Sequence, residues 1–305
     1  MWDRKHFLSI YDLSTDDVNR VIDHGLDLKR KHHQGVLEHA LEGKAMAMVF
    51  RKPSLRTRMS FEMAMEGLGG HALYVSDEEI KLGRREAVCD VARVMSRYVD
   101  VIMIRTFDQS EIEELARFAS VPVINALTDL YHPCQVMGDV MTVVEHKGKI
   151  EGLKVAFLGD GNNVANSWVN AAAKLDFHLV LGMAEGYEPD RVIMERARKA
   201  GARVDLTYDA TEAVGDADVI YTDVWASMGQ EDEIKKRKAD LGHLQVNDRL
   251  VDAAKKDVIV MHCLPAHRGD EITDGVMDGP HSVVYDEAEN RMHIQRAVIL
   301  ELLVK

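Results

Sequence analysis

The stretch AMAMVFRKPSLRTRMSFEMAMEG (residues 45–67) decides how this chain is read. Residues 45–50 are a short apolar run, too brief for a helix and fit for a buried strand. Residues 51–58 are polar and carry four cations, Arg51, Lys52, Arg56 and Arg58. Residues 59–67 then return to helical spacing. Strand, polar loop and helix form half of a crossover unit, and the same grammar recurs on both sides.

Before it, residues 14–39 open with cap-type Ser14, Thr15 and Asp16. They place Val18, Val21, Ile22 and Leu26 at helical intervals. After it, strands are predicted at 71–75, 101–104 and 121–127, with helices at 86–98, 110–120 and 135–146. The polar run Lys147-Gly-Lys-Ile-Glu-Gly152 interrupts the alternation, which then restarts. Strands follow at 154–158, 178–181, 203–207, 218–221 and 258–261, with helices at 163–175, 190–200 and 290–304. Such alternation predicts an α/β fold of two domains, each a mostly parallel sheet flanked by helices. The polar break at 147–152 marks the boundary between the two domains. Parallel sheets bind ligands at the carboxyl ends of their strands, so the residues just after each strand carry the chemistry.

Composition narrows the field. A length of 305 residues favours two cores over one. The net charge of −13 argues against nucleic acid or an anionic membrane as partner, so any anion site must be built locally. Three widely spaced cysteines, Cys89, Cys134 and Cys263, form no disulfide framework and no metal-binding pair. A reducing, cytoplasmic setting is expected, and no stretch is apolar enough to span a bilayer.

Six strand ends stand out. Ser54, Arg56, Thr57 and their basic neighbours precede a helix, where free N–H groups and the helix dipole favour phosphate. An ordinary basic loop that caps a helix is the alternative. Arg105 ends one strand and His132-Pro133-Cys134-Gln135 follows another, so a His and an Arg can converge on a carbonyl oxygen. The turn Gly159-Asp160-Gly161-Asn162-Asn163 lacks the third glycine of a dinucleotide fingerprint, and its asparagines suit a zwitterionic amino acid better. Asp223 ends a strand before a small-residue loop and can hold an amine. Cys263 follows another strand as either a nucleophile or an inert thiol, and Leu264–Pro265 is a candidate cis bond.

Together SLRTR (54–58), HPCQ (132–135), DGNN (160–163), DVWASMG (223–229), HCLPA (262–266) and ENRMH (289–293) resemble, in this order, the ornithine branch of the aspartate/ornithine carbamoyltransferase family. The resemblance spans essentially the whole chain. It implies transfer of the carbamoyl group of carbamoyl phosphate to the δ-amine of L-ornithine, giving L-citrulline and phosphate, in arginine biosynthesis or breakdown. It implies that the closing helix returns to the first domain, giving 1–146 with 289–305 as a carbamoyl phosphate-binding domain and 147–288 as an ornithine-binding domain. It implies a homotrimer or multiple of trimers, and no metal or organic cofactor. Carbamoyl phosphate would be held by Ser54, Leu55, Arg56 and Thr57, with Arg105, His132, Pro133, Cys134 and Gln135 around the carbamoyl group. Lys81, Cys263, Leu264 and Arg291 would complete that set. Ornithine would be held by Asn163, Asp223, Ser227 and Met228. Arg105, His132, Asp223 and Cys263 are the implied catalytic residues, with Cys263 orienting the amine and forming no covalent bond.

Two positions depart from the family pattern. Leu55 stands where a threonine is usual, which removes one hydroxyl. Lys81 stands where ornithine-specific members usually place a glutamine that reaches a neighbouring subunit. Three other readings are open to this sequence: the same chemistry on putrescine or an acylated ornithine, a catalytically silent scaffold subunit, and a nicotinamide-dependent oxidoreductase. The last is disfavoured by the incomplete glycine fingerprint.

Overall fold

A computed structural model describes residues 5–36, 38–226 and 233–304. The chain forms two compact units. The first comprises the described residues up to Met141 together with those from Asn290 onward, and the second is Thr142–Glu289. In chain order the elements up to the division are α1 (Thr15–His33), β1 (Ala45–Phe50), α2 (Leu55–Glu66), β2 (His71–Ser76), α3 (Asp77–Ile80), α4 (Val88–Met95), β3 (Val101–Arg105), α5 (Gln109–Phe118), β4 (Val123–Leu127) and α6 (Pro133–Lys147). Then follow β5 (Lys154–Leu158), α7 (Asn163–Ala172), β6 (His178–Gly182), α8 (Arg191–Lys199), β7 (Arg203–Thr207), α9 (Ala210–Val214), β8 (Val219–Thr222), α10 (Ile234–Leu241), α11 (Asp248–Asp252), β9 (Ile259–His262), α12 (Asp274–Met277) and α13 (Val284–Leu303).

The first unit holds a four-stranded parallel sheet in the order β2-β1-β3-β4. β1 and β3 are central, and all of their residues except Ala45 are buried. This is why they read as unbroken apolar runs. The residues just before α1 cover the edge strand β4: Phe7 donates to Val123 O at 2.8 Å and accepts from Asn125 N at 2.8 Å. That pairing removes an open sheet edge. The second unit holds a five-stranded parallel sheet in the order β7-β6-β5-β8-β9. Its core includes Ala156, Leu158, Ile220 and Val260 on the strands and Val214, Leu250 and Val276 on the covering helices.

Helix ends differ from the sequence reading where polar residues are buried. α1 begins at its capping box, with Ser14 Oγ accepting from Asp17 N and Asp17 Oδ2 accepting from Ser14 N. It stops at His33 and not at 39, because Gly35 takes a left-handed φ of 72°. α2 starts at Leu55, four residues ahead of the expected 59, with Ser54 as its N-cap. α6 starts at Pro133, so Pro133, Cys134 and Gln135 form its first turn and not a loop; proline suits that position because its missing N–H would have no helical acceptor. α13 starts at Val284 and not at 290. Its early turns bury Glu287 and Asn290, a polar inner face that apolar periodicity cannot detect. No described helix is long and apolar enough to cross a membrane.

His6 makes the fold sensitive to acid. Its Nδ1 accepts from Val123 N at 3.1 Å, and burial, helped by the Lys5 charge, pushes its pKa from 6.5 down to about 4. The folded form therefore binds fewer protons than the unfolded form between these values. Stability present above pH 6.5 is lost as pH falls toward 4. The thermal midpoint is expected to drop across that window, and less steeply in His6→Gln; equal slopes in calorimetry would contradict this origin.

Candidate active site

In the first unit the strand order reverses between β1 and β3, which opens a crevice at their carboxyl ends. Phe50 pairs with Arg105 and Arg105 with Leu127, so the loops after β1, β3 and β4 leave the sheet side by side. Arg51 N donates to Arg105 O at 2.9 Å. Lys52 joins all three loops: its ammonium pairs with Asp129 and lies 4.3 Å from the centre of the Phe107 ring.

The four cations of 51–58 are not equivalent. Arg51 is committed to Asp77 at 2.9 Å and to Glu111. Lys52 is committed to Asp129. Arg58 is committed to Glu62 at 3.3 Å and lies over the Tyr74 ring. Arg56, half-buried in the first turn of α2, has no hydrogen-bond or ion-pair partner among the described residues. That turn contains no acidic residue. Ser54 Oγ accepts from Thr57 N at 3.3 Å, while the N–H groups of Leu55 and Arg56 lie where a helix offers no acceptor. Leu55 itself is 72% exposed, so its side chain fills no core position and its backbone is what it can offer a ligand. A free guanidinium, free N–H groups and an uncompensated helix dipole together make an anion site.

Around this turn the buried polar groups converge. Arg291 Nη2 donates to Thr57 Oγ1 at 3.2 Å, and Ser54 Oγ lies 3.0 Å from the same hydroxyl. His132 is buried, and burial followed by the positive fields of Arg291 and Arg105 holds its imidazole well below the ordinary pKa. It is therefore neutral at physiological pH. Arg105 is itself buried. Gln135 Nε2 donates to Asp139 Oδ1 at 2.7 Å, which fixes the orientation of its amide. Cys134 packs inward: Sγ donates to Asn125 O at 3.4 Å, and burial pushes its pKa up to about 12 against the opposing Arg291 charge. This thiol is unreactive, and Cys134 can meet a ligand only through its backbone. Lys81 stands apart, exposed at the left-handed end of α3 with φ 42°, and its side chain makes no hydrogen bond or ion pair among the described residues.

In the second unit the order reverses between β5 and β8. Leu158 pairs with Thr222, and Thr222 with His262, so Gly159, Asp223 and Cys263 leave neighbouring strand ends. Asp223 is buried and held from three sides. It accepts from Asn162 Nδ2 at 2.6 Å, from Val224 N at 2.7 Å and from Cys263 Sγ at 2.8 Å. The Cys263 thiol is thus tied to a carboxylate. Asn162 also caps α7, accepting from Val164 N and Ala165 N. Asn163, the first residue of that helix, is half-buried beside it. The turn needs its glycines: a Cβ on Gly161 would lie 2.3 Å from the backbone of Glu188 and Pro189. Leu264 adopts φ 57° and Leu264–Pro265 is cis. Ser227 and Met228 lie outside the described residues.

Several residues that hold these groups escaped the sequence reading. His262 lies beneath Cys263, with Nε2 3.0 Å from Glu271 Oε1 and Nδ1 accepting from Leu264 N at 2.9 Å. Glu287 accepts from His262 N at 2.8 Å. Arg237 binds Asp160 at 2.7 Å and the Trp225 carbonyl at 3.0 Å, bracing the turn and the strand end that precedes residue 227. Asn162 was detectable, as an Asx residue directly before an apolar helix is an N-cap signal. Glu271, Glu287 and Arg237 carried no local signal. Asp223, His262 and Cys263 place ligand-type atoms within 4.8 Å of one another, but both ring nitrogens of His262 are engaged by protein, which does not suit a metal.

Two doubly wound units, one with an anion site beside a neutral imidazole and the other with a fixed carboxylate–thiol pair, define an α/β enzyme that works on two small ligands. Residues 5–145 match the family model described as aspartate/ornithine carbamoyltransferase, carbamoyl-P binding domain, and residues 151–302 match the Asp/Orn binding domain of the same description. The ornithine carbamoyltransferase of Syntrophus aciditrophicus (strain SB) is 54% identical over 302 residues, covering 99% of this chain and 100% of that protein. The ornithine carbamoyltransferase of Geobacter metallireducens is 52% identical over 300 residues, covering 98% and 99%. The solved ornithine carbamoyltransferase of Pyrococcus furiosus is similar with a TM-score of 0.95 at 48% identity, covering 98% of this chain and 97% of that one. The chain belongs to the aspartate/ornithine carbamoyltransferase family.

Proposed function

We propose that this chain transfers the carbamoyl group of carbamoyl phosphate to the δ-amine of L-ornithine, releasing L-citrulline and phosphate. The observation that carries this reading is the uncommitted Arg56 at the N-terminus of α2, next to Thr57 and its partner Arg291. Ser54, Arg56, Thr57, Arg291 and the backbone of Leu55 take the phosphate. Arg105 and neutral His132 donate to the carbamoyl oxygen. Gln135, the backbone of Pro133 and Cys134, and the carbonyls of Cys263 and Leu264 meet the carbamoyl NH2. Asp223 and Cys263 orient the amine, and Asn163, Ser227 and Met228 hold the amino-acid end. Residues 147–288 serve as the ornithine-binding domain and the remainder as the carbamoyl phosphate-binding domain.

The neutral amine attacks the carbamoyl carbon and forms the C–N bond. Negative charge gathers on the carbamoyl oxygen, where Arg105, His132 and Thr57 stabilise it. The bond from carbon to the bridging phosphate oxygen then breaks. The nitrogen loses a proton, and the departing phosphate can take it. The −13 net charge agrees with two small-molecule substrates and with no nucleic acid or membrane partner. A cytoplasmic homotrimer, or a multiple of trimers, acting in arginine biosynthesis completes the reading.

Incubation with carbamoyl phosphate and, side by side, ornithine, putrescine and acetylornithine tests the substrate. Citrulline should form, and with the highest kcat/KM of the three. No citrulline beside product from another amine would overturn the acceptor. Lys81→Gln is expected to leave kcat/KM unchanged or higher, since the Lys81 side chain makes no hydrogen bond or ion pair among the described residues; a tenfold loss would show that it has its own task.

A further inference from the structure

Three imidazoles meet at a place the reaction does not use. α1 ends in Arg30-Lys31-His32-His33, and α13 carries His293. The ring centres of His32 and His293 are 5.3 Å apart, those of His32 and His33 6.0 Å, and those of His33 and His293 6.2 Å. His293 is fully buried, whereas His32 and His33 are exposed. His33, Glu289 and His293 each place a ligand-type atom within 4.8 Å of the other two.

The neighbouring permanent cations are turned elsewhere. Arg30 pairs with Asp27, and Lys31 pairs with Asp27 at 3.1 Å and Glu38 at 2.5 Å. The C-terminus of α1 also presents the negative end of its dipole, which favours a bound cation. Glu289 lies one turn before His293 on α13 and adds a carboxylate to the same helical face. Arg291, two residues from His293, projects from a different face, so the cluster is separate from the anion site.

We propose that His33, Glu289 and His293 form a binding site for a divalent transition metal of the zinc type, with the His32 ring packed against that of His293. Imidazole nitrogens select zinc, copper and nickel over magnesium and calcium, which prefer oxygen. Zinc accepts imidazole nitrogen and carboxylate oxygen at about 2.0–2.2 Å, the donor set that His33, His293 and Glu289 bring together. Water fills the remaining position. The ion would tie the end of α1 to the helix that carries Arg291, closing with metal a corner made only of side chains.

The test uses the full chain stripped with a chelator. Calorimetric titration with Zn2+ should show one ion per chain, and Co2+ should give a visible d–d band without the near-ultraviolet thiolate band that Cys263 would contribute. His32→Ala/His33→Ala, both exposed positions, should weaken Zn2+ binding by at least about tenfold while keeping the thermal midpoint of the metal-free protein. His293→Asn, checked for folding by circular dichroism, should do the same. Cys263→Ser should bind Zn2+ as the unaltered chain does. Unchanged affinity in the double variant, loss in Cys263→Ser, a thiolate band with Co2+, or no binding at all would each overturn the proposal.

Discussion

Arg105→Ala is expected to lower kcat by at least about a hundredfold, the scale of losing one donor to a developing oxyanion. Arg105 closes a central strand, is buried, and stands close enough to His132 for its charge to depress that imidazole. Its backbone is fixed independently of its side chain, because its carbonyl accepts from Arg51 N. Alanine should therefore remove the guanidinium without moving the strand. The loss should fall mainly on kcat, since Arg56, Thr57 and Arg291 would still bind phosphate. Steady-state kinetics at saturating ornithine decide the matter. A kcat within threefold of the unaltered enzyme would remove Arg105 from the role assigned to it.

Asp223→Asn should lower kcat/KM for ornithine by roughly a hundredfold or more, on the order of 3 kcal/mol for losing one side of a buried charge pair. The substitution keeps shape. An amide oxygen in place of Oδ1 can still accept from Val224 N and from the Cys263 thiol, and only the bond from Asn162 to Oδ2 is lost, so the strand end should keep its place. What disappears is the negative charge that meets a cationic acceptor. Binding of carbamoyl phosphate or a phosphonate analogue, measured by calorimetry, should hardly change, because every group assigned to the phosphate belongs to the other unit. An equal loss toward both substrates would mean that Asp223 supports the fold of its unit and not the amine.

The strands were the most legible part of the fold. Runs such as 45–50, 101–104 and 154–158 are apolar because both faces of a parallel sheet are covered, so composition and burial say the same thing. Helix starts were less legible wherever function sits in the first turn. α2 opens with an exposed leucine and cations, α6 with Pro133 and Cys134, and α13 with the buried Glu287 and Asn290. In each case the turn is set by capping and by distant partners, which hydrophobic spacing does not report.

The site followed the same division. Residues directly after strands were visible as candidates because the sheet's geometry brings strand ends together. Their supports were not: Glu271 reaches His262 and Arg237 reaches Asp160 across segments whose sequences show no pattern in common. Of the four cations in the basic loop only Arg56 was assigned to the phosphate, and that came from the family resemblance, since a sequence cannot say which charges are already spent on Asp77, Glu111, Asp129 and Glu62. The cysteines divided in the same way. Cys134 is sealed into the protein and Cys263 is tied to Asp223, and neither setting resembles that of an attacking thiolate.

That spending of charge has a consequence for how the substrate arrives. With three of the four cations locally cancelled and a net charge of −13 on the whole chain, little positive potential extends into solvent. A phosphorylated ligand is drawn in only within about a Debye length, roughly 8 Å at physiological ionic strength. Discrimination among anions then rests on contact geometry at Arg56 and the helix end. Encounter rates should accordingly respond only weakly to added salt, unlike those of enzymes that gather anions from afar.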